Sequence, residues 1–565
     1  MIVGIDLGTT NSLIGVYGGS GVQLIRNALG EFLTPSAVSI GDDGSVLVGR
    51  AGRDRLVSHP DRSVGSFKRW MGAKRDTVLG GRTYLPEELS ALVIRSLLDD
   101  AEAALGVRPE EAVISVPAYF SDSQRRATKR AGELAGIRVE RLINEPTAAA
   151  LAYGLAEKLD DAYVMVLDLG GGTFDVSILE IFSGVVKVHA SAGDNYLGGD
   201  DFTAVLETAW IRRHGINREA MQAGEMAQLR RRAELAKLAL SAGQAASLKA
   251  MVSGREYVLE MDEAAFEELI APLVQRMRQP IERALRDAGL RGSDLADVVM
   301  VGGASRMPQL AKLAARLLGR LPLRHVAPDE AVAQGACVAA GLKARNVALE
   351  EIVLTDVCPH SLGVEVSIDI GNGQHSAGQF DPIIERNSTV PVSRMRAYYP
   401  VGARQEQLTL NVFQGESPVT RNNILLGSLN IPITPGVPAE NGVDVRFTYD
   451  INGVLQVEAK VQKTGIVREL ILMQEGSQIS EAEARQRMAE LAALKVHPRD
   501  EQRNIAALSR IERLYAESLG EERPWLQQML LQFQAVLGMQ DPKRVEEHRQ
   551  ALSSALDEFE AGRPQ

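Results

Sequence analysis

The sequence predicts a multidomain chain: a two-lobed α/β domain, then a β-sandwich, then an α-helical bundle. Three observations predict it. A strand, an Asp-Leu-Gly turn and a second strand occur together twice, once at the N-terminus and once after residue 160, which points to an internal duplication. Near residue 350 helical periodicity stops and short alternating runs begin. Near residue 480 apolar residues return at helical spacing.

The second copy of the turn is the more informative. An apolar run, Tyr163 to Leu167, reads as a buried parallel strand, and Asp168-Leu169-Gly170-Gly171-Gly172-Thr173-Phe174-Asp175 follows it. Three glycines in a row remove every Cβ, so backbone N–H groups can approach an anion closely. Asp168, at the strand end, suits a hydrated Mg²⁺ beside a phosphate tail. The first copy, Ile2 to Ser12, has Asp6-Leu7-Gly8 followed by Thr9, Thr10 and Asn11, then a strand from Leu13 to Tyr17. Two such hairpins facing each other would grip one polyphosphate from two sides. Either turn alone reads equally well as a tight hairpin with no ligand.

At 565 residues the chain is long enough for roughly three or four domains. Its 45% hydrophobic and 24% charged residues are ordinary for a globular protein. A net charge of −11 argues against nucleic-acid backbone binding, and the short Arg230-Arg231-Arg232 cluster reads as a solvated helix face. Two cysteines, Cys337 and Cys358, do not make a disulfide scaffold and suit a reducing compartment. No apolar run approaches the length of a membrane span. The first strand starts at Ile2, so the reading expects no targeting leader and a cytoplasmic location.

From Met1 to about Lys343, strands and amphipathic helices alternate. The spacing predicts a helix over 86–105, with Leu89, Leu92, Val93 and Leu97 on one face. A strand, 113–117, ends in Pro117, and a helix follows with Ser121 or Asp122 as N-cap. Asn144-Glu145-Pro146-Thr147 opens an Ala-rich helix over 148–154. Val298 to Gly303 repeats the strand-to-glycine turn, with Arg306 placed to stack on a planar ring or pair with phosphate. Residues 350–356 read as a linker. Alternating runs at 408–413, 443–447 and 454–459, with an Asn452-Gly453 hairpin signal, read as a β-sandwich over about 357–473. Pro432, Pro435, Gly436 and Pro438 mark a long turn inside it. Ser480 and Glu483 form a capping box, and helices run to Phe559 with breaks near Pro498, Pro524 and Pro542. Leu508, Ile511, Leu514 and Tyr515, then Trp525, Met529, Leu530 and Phe533, read as bundle packing.

Together the two Asp-Leu-Gly hairpins, Val116-Pro117-Ala118-Tyr119-Phe120, Asn144-Glu145-Pro146-Thr147-Ala148-Ala149-Ala150 and Val301-Gly302-Gly303 resemble the 70-kDa heat-shock chaperones, the DnaK family. The hairpins are shared with the wider actin and sugar-kinase superfamily; the Asn-Glu-Pro-Thr stretch and the linker with its sandwich are more specific. The resemblance covers nearly the whole chain and is closest to the short bacterial HscC-like branch. It implies an actin-like two-lobed α/β ATPase domain over 1–347, a linker over 348–356, a peptide-binding sandwich over 357–476 and a helical lid over 477–565. It also implies ATP or ADP with Mg²⁺, and allows K⁺ beside them. The implied function is an ATP-dependent chaperone that binds and releases extended hydrophobic segments of client proteins.

Residue by residue, the resemblance puts Gly8, Thr9, Thr10, Asn11, Gly171, Gly172 and Thr173 on the phosphates. Asp6 and Asp168 would hold hydrated Mg²⁺, with Asp175 and Glu145 completing the site, and Lys68 would position the attacking water and γ-phosphate. Glu234, Lys237 and Ser241 would bracket the adenosine on one side. Gly303, Ala304, Ser305 and Arg306 would do so on the other, with Asp329 nearby. Phosphoryl transfer to water needs positioning and charge neutralisation more than covalent help. With no arginine finger or strong base evident, turnover is expected to be slow. Pro117, Arg125 and Lys129 match the family's relay between lobes; Arg141, Asn144 and Asp356 match its docking surface for J-domain co-chaperones. Leu362, Val364, Tyr398, Val401, Leu408 and Leu410 match its peptide channel, where a client would add main-chain hydrogen bonds and bury a Leu- or Val-like side chain. Singly, each has a blander meaning: Lys68 a surface lysine, Glu145 and Asp329 helix-start charges, the alternating leucines plain sandwich core.

Several residues depart from the family pattern. His360 stands where the family usually has Leu, and Cys358 where it has a hydroxyl. Thr355 replaces an apolar linker residue, which predicts weaker docking between domains. Residues 368–384, with Gly371, Gly373 and Gly378, are longer than usual. Leu238 replaces an Arg found in some relatives. Regions 74–83 and 243–258 look trimmed, which leaves the need for a nucleotide exchange factor open. The chain is expected to be a monomer. Two other readings share the two-lobed fold, a small-molecule kinase and a filament-forming ATPase. The first needs a second substrate pocket with a base, and the C-terminal extension would obstruct the second.

Overall fold

The computed structural model describes the chain apart from residues 20, 74, 155–160, 183–184, 324–326, 345–352, 372–373, 451–452, 473–501, 519–521 and 562–565. It forms two compact units. Residues 1–360 and 386–390 make the first; residues 361–385, 391–472 and the C-terminal helices make the second.

The internal duplication is visible in the first unit as two sheets of one plan. In the first sheet the order is Arg138–Asn144, Glu111–Val116, Ile2–Asp6, Asn11–Gly18, Gly21–Leu24. Ile2–Asp6 runs parallel to Glu111–Val116 and antiparallel to Asn11–Gly18. In the second the order is Asp297–Val301, Ala162–Leu169, Phe174–Phe182, Val185–Asp194, Val353–Val357, Thr389–Val390. Ala162–Leu169 runs parallel to Asp297–Val301 and antiparallel to Phe174–Phe182. The strand expected to be parallel is therefore parallel on one side only. An apolar run reports burial of both faces, not the direction of the neighbours.

Helix Pro86–Leu105 has the bounds its periodicity predicts; Glu88 accepts from the Leu85 N–H at 2.7 Å and Gly106 ends it at φ 73°. Of the two N-cap candidates for helix Asp122–Ala135, Ser121 is the cap, its Oγ accepting from Gln124 N. The Ala-rich helix is Glu145–Ala152, shifted toward the N-terminus from its expected span because Pro146 suits the first helical turn and Gly154 lies past the end at φ 60°. It crosses helix Ala331–Lys343 at backbone contact: a Cβ on Gly335 would lie 1.7 Å from Ala148 O. Within the region that looked trimmed, Ala246–Val252 and Arg255–Met261 form a hairpin whose turn residues, Ser253 and Gly254, both have positive φ.

The described part of the expected linker is a strand. Val353, Leu354 and Thr355 pair in parallel with Val185, Val186 and Lys187, and Asp356 pairs with Val390. Residues 348–352 lie outside the described residues. The turn at 386–390 belongs to this unit too. Its Arg386 makes two hydrogen bonds, of 3.0 and 2.8 Å, to Asp287 in helix Glu263–Ala288.

The second unit holds a sandwich and a bundle. One sheet is ordered Gln374–Ile384, Leu362–Gly371, Gln407–Gln414, Ile424–Pro432; the other Val392–Tyr398, Val443–Tyr449, Leu455–Val461, Val467–Leu472. Inward residues such as Val412, Ile431, Val445, Phe447 and Val457 are closed to solvent. Asn452, Gly373, Pro498 and the Ser480–Glu483 capping box lie outside the described residues; Gly453 has the left-handed φ of 82° that a tight turn needs. Helices Gln502–Glu517, Glu522–Met539 and Pro542–Ala561 break where Pro524 and Pro542 predict. Ile511, Leu514, Leu526, Phe533, Leu537 and Leu556 form their core, and Trp525 stacks on Phe559. Between the last two helices Gln540, at φ 53°, turns its amide onto the sandwich: Oε1 accepts from Met395 N at 3.1 Å and Nε2 donates to Met395 O at 2.8 Å. Among the described residues no helix is long and apolar enough to cross a membrane.

Candidate nucleotide site

The duplicated strands end face to face. A Cβ on Gly171 would lie 2.0 Å from Thr10 Oγ1, and one on Gly172 would lie 3.0 Å from Thr9 Cγ2. Only glycine lets the two turns come this close. Gly170 N donates to Thr173 O, and Gly170 O and Gly171 O accept from the N–H groups of Gly199 and Asp200. The start of helix Gly199–His214 is thereby pinned to the glycine turn. The sequence reading does not reach Gly198 and Gly199, and a Gly-Gly pair opening a helix is the signal that marks them. Two further bridges tie the rims together, Ser66 Oγ to Asp200 at 2.6 Å and Arg69 to Asp201 at 3.0 Å. Both were missed, because partners more than 130 residues apart leave no local pattern.

Behind the turns lie four carboxylates and one ammonium. Lys68 Nζ donates to Glu145 Oε1 at 2.9 Å and sits 5.5 Å above the Phe120 ring. Asp6 accepts from Ser115 Oγ at 2.7 Å. Asp168 and Asp175 are direct cross-strand partners, an arrangement of like charges that costs stability. Asp175 Oδ1 accepts from Tyr119 N at 3.2 Å, while its buried Oδ2 has no hydrogen-bond partner among the described residues. Burial, then the Glu145 charge, pushes Asp6 up to about 6, against the pull of Lys68 and Ser115. Burial and the Glu145 charge likewise push Asp175 up to about 7. Asp168 lies well above the ordinary carboxylate range, through burial and then Glu145, Asp175 and Asp6.

Such a cluster would suit a further cation beside Lys68. Among the described residues no three His, Cys, Asp or Glu side chains converge closely enough to hold a metal directly. A magnesium ion that keeps most of its water shell needs no such cage. The orphaned Asp175 oxygen and the glycine-lined gap suit a hydrated Mg²⁺ beside phosphates.

The expected adenosine-side residues fall in two groups. Lys237 Nζ donates to Glu234 at 2.7 Å and to Gly199 O at 3.0 Å, and Thr203 Oγ1 donates to the same Glu234 oxygen. Ser241 Oγ is turned back onto Lys237 O. Across from them Arg306 pairs with Asp329 through Nε at 2.9 Å. A Cβ on Gly303 would lie 2.7 Å from Asp329, and one on Gly199 would lie 3.2 Å from Ala304 Cβ, so both groups meet at the start of helix Gly199–His214. Ser305 Oγ donates to Gly302 O, and Leu238 is exposed.

Profile and sequence comparisons agree on one family. The profile described as Hsp70 protein matches residues 2–79 and 75–560. The chain belongs to the Hsp70 family. It is 42% identical over 489 residues to the chaperone protein DnaK of Thermosipho africanus, covering 83% of this chain and 79% of the relative. It is also 42% identical over 490 residues to DnaK of Thermotoga maritima, covering 83% and 80%. Hsp70 membership gives the chain an actin-like ATPase domain that binds ATP or ADP with Mg²⁺, and makes it an ATP-dependent chaperone. Client peptides and co-chaperones are its classes of partner. The kinase and filament readings fall with that membership.

The residues matched to the Hsp70 relay are structurally joined in part. Arg125 Nη2 donates to Asn144 Oδ1 at 2.6 Å and to Ala118 O at 3.1 Å, next to Pro117. Lys129 lies on helix Asp122–Ala135 and Arg141 on strand Arg138–Asn144. Asp356 lies on strand Val353–Val357. Of the residues matched to the peptide channel, Leu362, Val364, Leu408 and Leu410 are buried, and Val401 is exposed. Tyr398 donates to Asp381 at 2.7 Å.

Proposed function

We propose that this chaperone holds one extended client segment and times its release by slow ATP hydrolysis between the two facing turns. The observation that carries this is the buried Lys68–Glu145 pair set behind the Gly8–Asn11 and Gly171–Thr173 turns, among Asp6, Asp168 and Asp175. In this reading Gly8, Thr9, Thr10 and Asn11 hold the β- and γ-phosphates from one lobe, and Gly171, Gly172 and Thr173 hold them from the other. Asp6, Asp168 and Asp175 hold hydrated Mg²⁺, with K⁺ as a further ion. When bound, Mg²⁺ neutralises charge on the phosphates. Lys68 fixes the attacking water and the γ-phosphate, and Glu145 keeps the lysine in place. Glu234, Lys237 and Ser241 bracket the adenosine opposite Gly303, Ala304, Ser305, Arg306 and Asp329.

Pro117, Arg125 and Lys129 would carry the nucleotide state between lobes. A J-domain co-chaperone would dock on Arg141, Asn144 and Asp356; an exchange factor is a further candidate partner. The client would lie along Leu362, Val364, Tyr398, Val401, Leu408 and Leu410. The domain limits of 1–347, 348–356, 357–476 and 477–565, a cytoplasmic location and a monomeric state belong to the same reading.

Dissociation of a fluorescent hydrophobic peptide, with ADP and then ATP, tests it. Faster release with ATP in the wild type, lost in Thr173→Ala, is expected. Release indifferent to nucleotide in the wild type would count against the timer.

A further inference from the structure

The loop Pro117–Phe120 stands between the metal-side carboxylates and the strand that leads out of the first unit. Each of its carbonyls is held. Pro117 O accepts from Phe120 N, and Ala118 O and Phe120 O accept from Arg125. Tyr119 O accepts from Asn195 Nδ2 at 3.5 Å and faces His360 Nε2 at 3.2 Å. The partner is a carbonyl, so Nε2 carries the hydrogen and donates. The two rings meet edge to face with centroids 4.5 Å apart. Cys358 Sγ donates to His360 O at 3.1 Å, which fixes the backbone that carries the imidazole.

The same Tyr119 works at its other end on the nucleotide site. Its N–H donates to Asp175 Oδ1, and the next residue, Phe120, lies under Lys68 Nζ. One residue thus links the end of the Val353–Val357 strand segment to a metal-side carboxylate: carbonyl to His360, amide to Asp175.

We infer that His360 is a positioning residue for ATP hydrolysis, holding the Tyr119 peptide so that Asp175 and Lys68 stay aligned while segment 353–360 is paired. The inference rests on the proposed function for the role of Asp175. It belongs to this chain's own residues, because a leucine at 360 supplies no donor.

Single-turnover hydrolysis of preloaded ATP in the full chain tests it, with and without a hydrophobic peptide. His360→Leu and His360→Phe both lack the donor, and the phenylalanine keeps a ring against Tyr119. Both are expected to lower the hydrolysis rate about five-fold, the rate equivalent of one hydrogen bond. ATP affinity is expected to stay within about two-fold, and His360→Gln, which restores a donor, to return most of the rate. Unchanged rates in His360→Leu and His360→Phe would overturn the inference. So would an equal loss in His360→Gln, or a loss confined to ATP affinity. A wild type whose hydrolysis ignores peptide would speak against the proposed client coupling and leave the comparison of variants intact.

Discussion

The Lys68 ammonium lies 2.9 Å from a Glu145 carboxylate oxygen, with both side chains nearly closed to solvent at 4% and 9% exposure. A buried pair of this kind is poor evidence of stabilisation, since replacing both charges with apolar groups often costs nothing. Its position among Asp6, Asp168 and Asp175 explains it better. On the proposed reading the lysine would be held where phosphate charge develops, and the glutamate 2.9 Å away would keep it from turning elsewhere.

Removing the ammonium separates these roles. Lys68→Met should lower the single-turnover hydrolysis rate roughly 10²- to 10³-fold, as expected for loss of one preorganised charge donor. It should also destabilise the protein by about 3–5 kcal/mol, because Glu145 is left buried without its partner. Adding Glu145→Gln should recover much of that stability and none of the rate. Thermal melts beside the kinetics check both parts, and recovery of hydrolysis in the double variant would remove Lys68 from the mechanism.

The raised carboxylates give the metal-free protein a pH signature. Asp6 at about 6 and Asp175 at about 7 bind protons more tightly in the fold than in the unfolded chain, where an aspartate titrates near 3.8. Their contribution to stability is therefore full below about pH 4 and is lost as pH rises toward 7. If these groups face the metal, as proposed, Mg²⁺ with ADP needs them ionised and works against that loss. The rise in melting temperature on adding Mg-ADP should thus be larger at about pH 7.5 than at about pH 5.5. Equal shifts at the two values would show that these carboxylates do not face the metal.

The approach of Gly171 to Thr10 is a steric demand on the closed lobes. Gly171→Ala places a methyl carbon 2.0 Å from Thr10 Oγ1. The strain of such overpacking, about 1–3 kcal/mol, should appear as a roughly 10- to 100-fold loss of ADP affinity. The melting temperature without nucleotide should change little, since the turns can part. Titration with a fluorescent ADP analogue, run beside a melt, distinguishes this from simple misfolding.

What the sequence discloses follows the range of each interaction. Helix Pro86–Leu105, the Ser121 cap and the helix breaks at Pro524 and Pro542 are set within a few residues and could be read directly. The hairpin at Ser253-Gly254 is equally local, and a small residue before Gly between alternating runs is its turn signal. The facing turns were legible because a repeated motif carries its own comparison. The strand at Val353–Val357 was not, since its partner, Val185–Lys187, lies far away in the chain and a short apolar segment between charges reads as a linker. The Ser66–Asp200 and Arg69–Asp201 bridges, and the contact of His360 with Tyr119, have the same cause. The residue types were visible, and only the fold pairs them.

Gln540 gives the second unit a property of another kind. Met395 lies on strand Val392–Tyr398, at the outer edge of its sheet. An open edge is a template on which a further strand can grow, and that is how sheet proteins aggregate. The Gln540 amide makes to Met395 both bonds that such a strand would make. A protein whose work brings it against sticky, extended chains thereby has part of its own edge already occupied, and is itself harder to recruit into a growing aggregate.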